Sequence, residues 1–140
     1  MTTLYEDAGG EEVIRQILTS FYDAVFKDIM IGFHFMKADK ERLIRVETQM
    51  TCIALGASHI KYEGKPIRAA HAPHPILGGQ FERRLQILRE AMEKHQLPQH
   101  VRDAWIEHNQ KLRPQVTADR GSDCNHPEPK RRLKMFGDQD

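Results

Sequence analysis

Apolar residues recur at helical spacing through most of the chain, and no stretch alternates apolar and polar positions as a half-buried strand would. The pattern predicts an all-α fold. Thr3 followed by Glu6 fits a capping box for a short first helix, ended by the run "AGG" at 8–10. A second helix runs from Glu11 to Phe26, with Val13, Ile17, Phe21 and Val25 on one face and Ile14, Leu18 and Tyr22 beside it. After a loop at Lys27 and Asp28, "IMIGFHFM" reads as a short buried turn of helix, and Asp39 caps a longer helix from Lys40 to about Leu55. A brief helix from Pro66 to His71 is stopped by Pro73 and Pro75, which lack amide donors and restrict the residues before them. Two more helices, Gly79 to His95 and Pro98 to Val116, carry the stripes Phe81, Leu85, Leu88, Met92 and Val101, Trp105, Leu112, Val116. Residues 118–140 are charged, contain Pro and Gly and hold almost no apolar residues, so they are expected to be a mobile polar tail behind a single domain of residues 1–117.

A chain of 140 residues is one domain, large enough to bury a core and enclose one small cofactor. The formal net charge of +1, with the signs mixed along the chain, argues against nucleic acid or an acidic membrane surface as a partner. The longest apolar runs are too short to span a bilayer, and the first residues lack the charged-then-apolar order of a signal peptide, so a cytoplasmic protein is expected. Its two cysteines, Cys52 and Cys124, form no CxxCH or zinc pattern, and a covalently attached c-type haem is not indicated.

A few residues do not suit a plain helical bundle. Glu47 falls within the stripe Leu43, Val46, Met50, Ala54, where an ionised carboxylate needs a partner, a cavity or a raised pKa. Arg84 falls three residues after Phe81 and four before Leu88, on the face its helix should bury. Each has an ordinary reading, Glu47 at the edge of its face and Arg84 laying its stem on apolar surface while its head reaches water. Two such residues in one small protein suggest a shared polar pocket, and a Glu47–Arg84 pair would satisfy both. Tyr22 either aims its hydroxyl inward, where it would need a partner, or sits at the edge of the core with its hydroxyl in water. His71 shares a face with Ile67, and an isolated histidine there is either a hydrogen-bonded core residue or a ligand. His34, between Phe33 and Phe35, reads as a surface residue or a second ligand, the surface reading being favoured, and His59, His95, His100, His108 and His126 read as solvent-facing.

The signatures GxGxxG, GxxxxGK, HExxH and GxSxG are absent. The stretches "LYEDAGGEEVIRQILTSFYDAVFKD", "YEGKPIRAAHAPHPI" and "FERRLQILREAM", with ungapped spacing from Tyr22 through Phe35 and Leu43 to "ALG", resemble the truncated haemoglobins over residues 3–117. The resemblance implies a two-over-two helical sandwich enclosing a haem. It makes His71 the proximal ligand of the iron, Tyr22 the distal tyrosine that hydrogen-bonds oxygen, and Phe35 the residue packed on the porphyrin. Leu43, Glu47, Met50 and Thr51 fall on the distal helix, and Tyr62 and Arg68 fall near the usual contacts to haem propionates. His74 follows Pro73 and reads as a packing residue beside the haem.

Departures from the family pattern carry information too. Glu47 stands where members commonly have glutamine or an apolar residue. Arg84 stands where subgroups sharing the "HxPxPI" phrase have tryptophan, and His74 where they have phenylalanine or leucine. The segments resemble different subgroups, and none is assigned. The expectation is a haem b protein with a pentacoordinate iron that binds oxygen, nitric oxide and carbon monoxide, with nitric oxide dioxygenase turnover and a reductase partner if catalytic. The alternatives are a peroxidase using Glu47 and Arg84, an oxygen carrier or gas sensor, and a haem-free helical interaction protein.

Overall fold

The computed structural model describes residues 2–65 and 76–117. Among these the chain is helical: α1 Leu4–Ala8, α2 Glu11–Lys27, a 3-10 turn Gly32–Phe35, α3 Lys40–Ala54, α4 Gly78–Lys94, α5 Gln99–Lys111 and α6 Arg113–Val116. The expected helix at 66–71 and the tail lie outside the described residues. α2 packs against both α3 and α4, and α4 against α5, the helix pairing expected of the two-over-two sandwich. No helix among the described residues is long and apolar enough to cross a membrane.

Local chemistry sets most helix ends. Thr3 and Glu6 form the reciprocal capping box, each side chain accepting from the other residue's backbone N–H at 3.0 Å. Gly9 and Gly10 then take φ values of 107° and 87°, where a side chain would be strained, and turn the chain directly into α2. Asp39 caps α3 through the Arg42 backbone N–H at 3.2 Å. At the start of α4, Gln80 reaches back to accept from the Leu77 N–H at 2.9 Å.

The core joins Ile14, Ile17, Leu18, Phe21 and Val25 of α2 to Leu88 and Met92 of α4 and Val101 and Trp105 of α5, all buried. A smaller cluster of Ile76, Phe81, Leu85 and Val116 lies against it, and Ile76 meets Thr117 in an isolated parallel bridge.

Four expectations need correction. The last helix is not continuous: it breaks at Leu112, because Pro114 removes an amide donor and α6 restarts with this proline near its first position. The 29–36 turn is only partly buried: Ile31 packs into the core, but Ile29, Met30, Phe33 and Met36 are exposed, and Asp28 holds its start by accepting from the Met30 and Ile31 N–H groups. The packed face of α3 is Ile44, Thr48, Thr51, Cys52 and Leu55, about 100° around the helix from the expected stripe, and Ala54 is exposed. His108 is not simply solvent-facing; its Nε2 is buried without a hydrogen-bond partner.

Candidate functional site

The rotation of α3 sets up the site. With Ile44 and Thr48 turned into the core, Leu43, Glu47 and Met50 form a separate half-buried line on the neighbouring face. Glu47 therefore does not interrupt a hydrophobic stripe; it stands where α3 faces α4 and α5. Arg84, between Phe81 and Leu88 on α4, comes from the opposite side to meet it.

Glu47 Oε1 accepts from the Tyr22 hydroxyl at 2.9 Å and from Arg84 Nη2 at 3.2 Å, and Oε2 accepts from the same nitrogen at 3.1 Å. Arg84 Nη1 donates to Asn109 Oδ1 at 2.7 Å, and Asn109 Nδ2 donates to the Trp105 carbonyl at 3.1 Å. The guanidinium also lies 4.9 Å from the centre of the Phe21 ring, a cation–π contact. The side chains of Arg84 and Glu47 are only 15% and 11% exposed, so solvent screens their attraction little. Tyr22 is buried, its ring edge-on to Phe21, Phe26 and Phe35.

The electrostatics follow from this packing. Burial pushes the Tyr22 hydroxyl above its ordinary pKa and the Glu47 charge adds to the effect, so the phenol keeps its proton. Burial works against the charge on Arg84, but Glu47 and Tyr22 outweigh it and the guanidinium pKa lies above its usual value. His108 is depressed by burial, which leaves a neutral imidazole at pH 7. Burial pushes the Cys52 thiol up to about 12, so it is no nucleophile.

Glu47, Arg84 and Asn109 form one side of a cleft whose other walls are Met50, Ile76, Phe81, Leu112 and Val116. Its enclosed space is about 40 Å³, room for roughly three water-sized molecules. That is the size of a ligand chamber, not of a macrocycle. Tyr22 is not part of the wall and reaches the cleft only through Glu47.

Of the residues singled out in the sequence, Tyr22, Glu47 and Arg84 meet in one network. Met50 lines the cleft, and Leu43 and Phe35 pack at the edge of the core. The Tyr62 hydroxyl donates to the Lys65 carbonyl at 2.7 Å, and its pKa is raised by burial and by the charge of Glu47. His34 is half-buried with Nε2 at 3.2 Å from Gln80 Oε1. Arg68, His71 and His74 lie outside the described residues. Sequence reasoning missed Asn109. Its signal was present, since Asn109 follows Trp105 by four residues on the buried face of α5, where an amide must find partners.

Residues 3–118 match the family model of the bacterial-like globins, which is most of the chain. The chain is a bacterial-like globin. Among solved structures, this globin superposes on the ferric truncated hemoglobin of Tetrahymena pyriformis with a TM-score of 0.76 at 21% identity, covering 83% of this chain and 98% of that one. The 2/2 hemoglobin of Synechococcus sp., in the cyanomet state with covalently attached heme, gives 0.76 at 20% identity, covering 82% and 98%. The group II truncated hemoglobin of Bacillus anthracis gives 0.74 at 24% identity, covering 84% and 92%. No curated relative matches the sequence.

A haem needs apolar walls, one axial protein ligand and polar groups confined to the ligand side and the edge. The cleft, too small for the macrocycle itself, has the apolar walls and the confined polar groups that the ligand side of a haem would need. Met50, Phe81, Leu112, Ile76 and Val116 are apolar, and all of its charge is gathered in Glu47 and Arg84. Among the described residues no three His, Cys, Asp or Glu side chains gather as an alternative metal site.

Proposed function

We propose that this globin binds haem b, with His71 as the single axial ligand of a pentacoordinate iron, and that it takes up oxygen, nitric oxide and carbon monoxide on the side guarded by Glu47 and Arg84. When bound, the haem supplies an open coordination position and one-electron chemistry. The observation that carries the reading is the small cleft, apolar on most sides with one charged cluster in its wall, in a chain of globin family and fold. Phe35, Leu43 and Met50 pack against the macrocycle, while Tyr62 and Arg68 contact its propionates and His74 fills space beside it. The Tyr22–Glu47–Arg84 network holds and orients the ligand, and oxygen-dependent nitric oxide detoxification, with a reductase supplying electrons, is the turnover.

The Glu47–Arg84 contact favours a second reading as a peroxidase. A carboxylate fixed beside a buried cation can move a proton on a peroxide oxygen while the cation holds the resulting negative charge.

Absorption spectra of the haem-reconstituted protein, with and without dithionite and carbon monoxide, test the central claim. The wild type is expected to show a Soret band that shifts with each treatment, and His71→Ala is expected to lose it or alter it strongly. An unchanged band in the variant, or none in the wild type, refutes haem ligation by His71. Rapid mixing of the oxygenated form with nitric oxide, set against peroxide turnover of the ferric form, separates the two readings.

A further inference from the structure

A phenol has one proton to donate, and in this globin the Tyr22 proton is placed on Glu47 at 2.9 Å. A ligand in the cleft does not meet Tyr22 at all, because the polar wall consists of Glu47, Arg84 and Asn109. Glu47 is held from both sides, by the Tyr22 hydroxyl and by Arg84, and Arg84 is held in turn by Asn109, whose amide is fixed on the Trp105 carbonyl. The group presented to a ligand is thus a carboxylate acceptor with a cation clamped beside it.

We propose that the site selects small ligands that carry a proton, hydrogen peroxide foremost, over dioxygen, and that Tyr22 and Asn109 are positioning residues for the Glu47–Arg84 pair and not donors to the ligand. The inference rests on the haem reading above and, of its two turnovers, takes the peroxide one. Dioxygen has only lone pairs to offer, so it can accept from Arg84 but meets repulsion from the Glu47 carboxylate beside it. Hydrogen peroxide can donate an O–H to Glu47 and accept from Arg84 at once, and it fits a space of about 40 Å³. In the step assigned to these residues, the O–H bond of peroxide breaks, its proton goes to Glu47 Oε2, and the electron pair stays on the hydroperoxide anion facing Arg84. No oxidant or reductant is needed for this step.

The test uses haem-reconstituted wild type, Glu47→Gln and Tyr22→Phe, and measures dioxygen release from the ferrous protein and the rate of peroxide reaction with the ferric protein. A hydrogen bond gained or lost at the ligand is worth roughly tenfold. Glu47→Gln, which exchanges the repelling carboxylate for an amide that can donate, is expected to slow dioxygen release about tenfold and to slow the peroxide reaction about tenfold or more. Tyr22→Phe is expected to slow the peroxide reaction while failing to speed dioxygen release tenfold. Slowing of both processes by Glu47→Gln is a pattern that mere loosening of the fold does not produce, since loosening speeds release. Dioxygen release accelerated tenfold or more by Tyr22→Phe, or a peroxide rate untouched by Glu47→Gln, overturns the proposal. If Glu47→Gln fails to take up haem, Glu47→Leu/Arg84→Leu removes both charges together and is expected to lose the peroxide rate while keeping dioxygen; retention of the peroxide rate overturns the proposal. Absence of a Soret band in the wild type sinks the haem reading and this inference with it, whereas a normal Soret band with the wrong pattern of rates sinks this inference alone.

Discussion

Two adjacent arginines of α4 each reach an acid far away in sequence, and they do different work. Arg83 donates through Nε and Nη2 to Asp28 Oδ1 at 2.9 and 2.7 Å, and the same carboxylate caps the Met30 and Ile31 N–H groups. That arginine is 39% exposed while the Asp28 side chain is only 8% exposed, and the pairing ties the α2–α3 connection to α4. Arg84, one residue and about 100° further around the helix, is 15% exposed and its partner Glu47 is 11% exposed. The first pair is a strap whose cation lies partly in water and whose buried acid side chain keeps two backbone donors besides the arginine. The second stands in a cleft wall, where loss of one member would strand the other. The difference shows that an ion pair has no fixed worth, because its surroundings decide what remains when it is broken.

The largest effect is expected from Arg84→Leu, which leaves Glu47 buried without its cation. The cost is about 3 to 5 kcal/mol, measured as a drop in the urea midpoint with an unchanged slope. The double variant Glu47→Leu/Arg84→Leu is expected to recover most of that stability, because no uncompensated charge remains. A double variant as unstable as the single would mean that the pair, unlike a simple buried charge, carries packing that leucine cannot replace.

A smaller and pH-dependent effect is expected at the Arg83–Asp28 strap. Hydrogen bonding from Arg83 holds the Asp28 carboxyl below its ordinary pKa. A carboxylate depressed in the folded state stabilises it above the unfolded pKa of about 4, and this contribution is lost as pH falls through the lower folded value. Asp28→Asn is expected to lower the melting temperature at pH 7 on the order of 5 °C and to flatten the acid limb of the stability profile. A variant whose loss is the same at pH 7 and pH 3 would show that the strap acts through its shape and not its charge.

The smallest effect is expected outside both networks. Thr3→Ala removes one half of the α1 capping box and should cost about 1 kcal/mol without moving any ligand property. A shift in dioxygen release in this variant would show that α1 is coupled to the cleft, which the comparison of the two arginines does not predict.

Local chemistry decided a good deal of this globin in advance. The Thr3–Glu6 box, the Gly9–Gly10 turn, the Asp39 cap and the apolar face of α2 depend on residues a few positions apart, so they can be read along the chain. Glu47 and Arg84 stood out as charges on apolar faces, and pairing them with each other was the simplest way to satisfy both. The tertiary structure alone decided where those charges point. The expected stripe of α3 and the observed packed face differ by one residue in register, and only the helices that pack on it choose between them. The direction of the Tyr22 proton depends on a carboxylate 25 residues away, and the role of Asn109 on an arginine 25 residues before it. Hydrogen bonds of that range have no periodic signature in sequence. They exist only when folding has buried both partners and removed the water that would otherwise satisfy them.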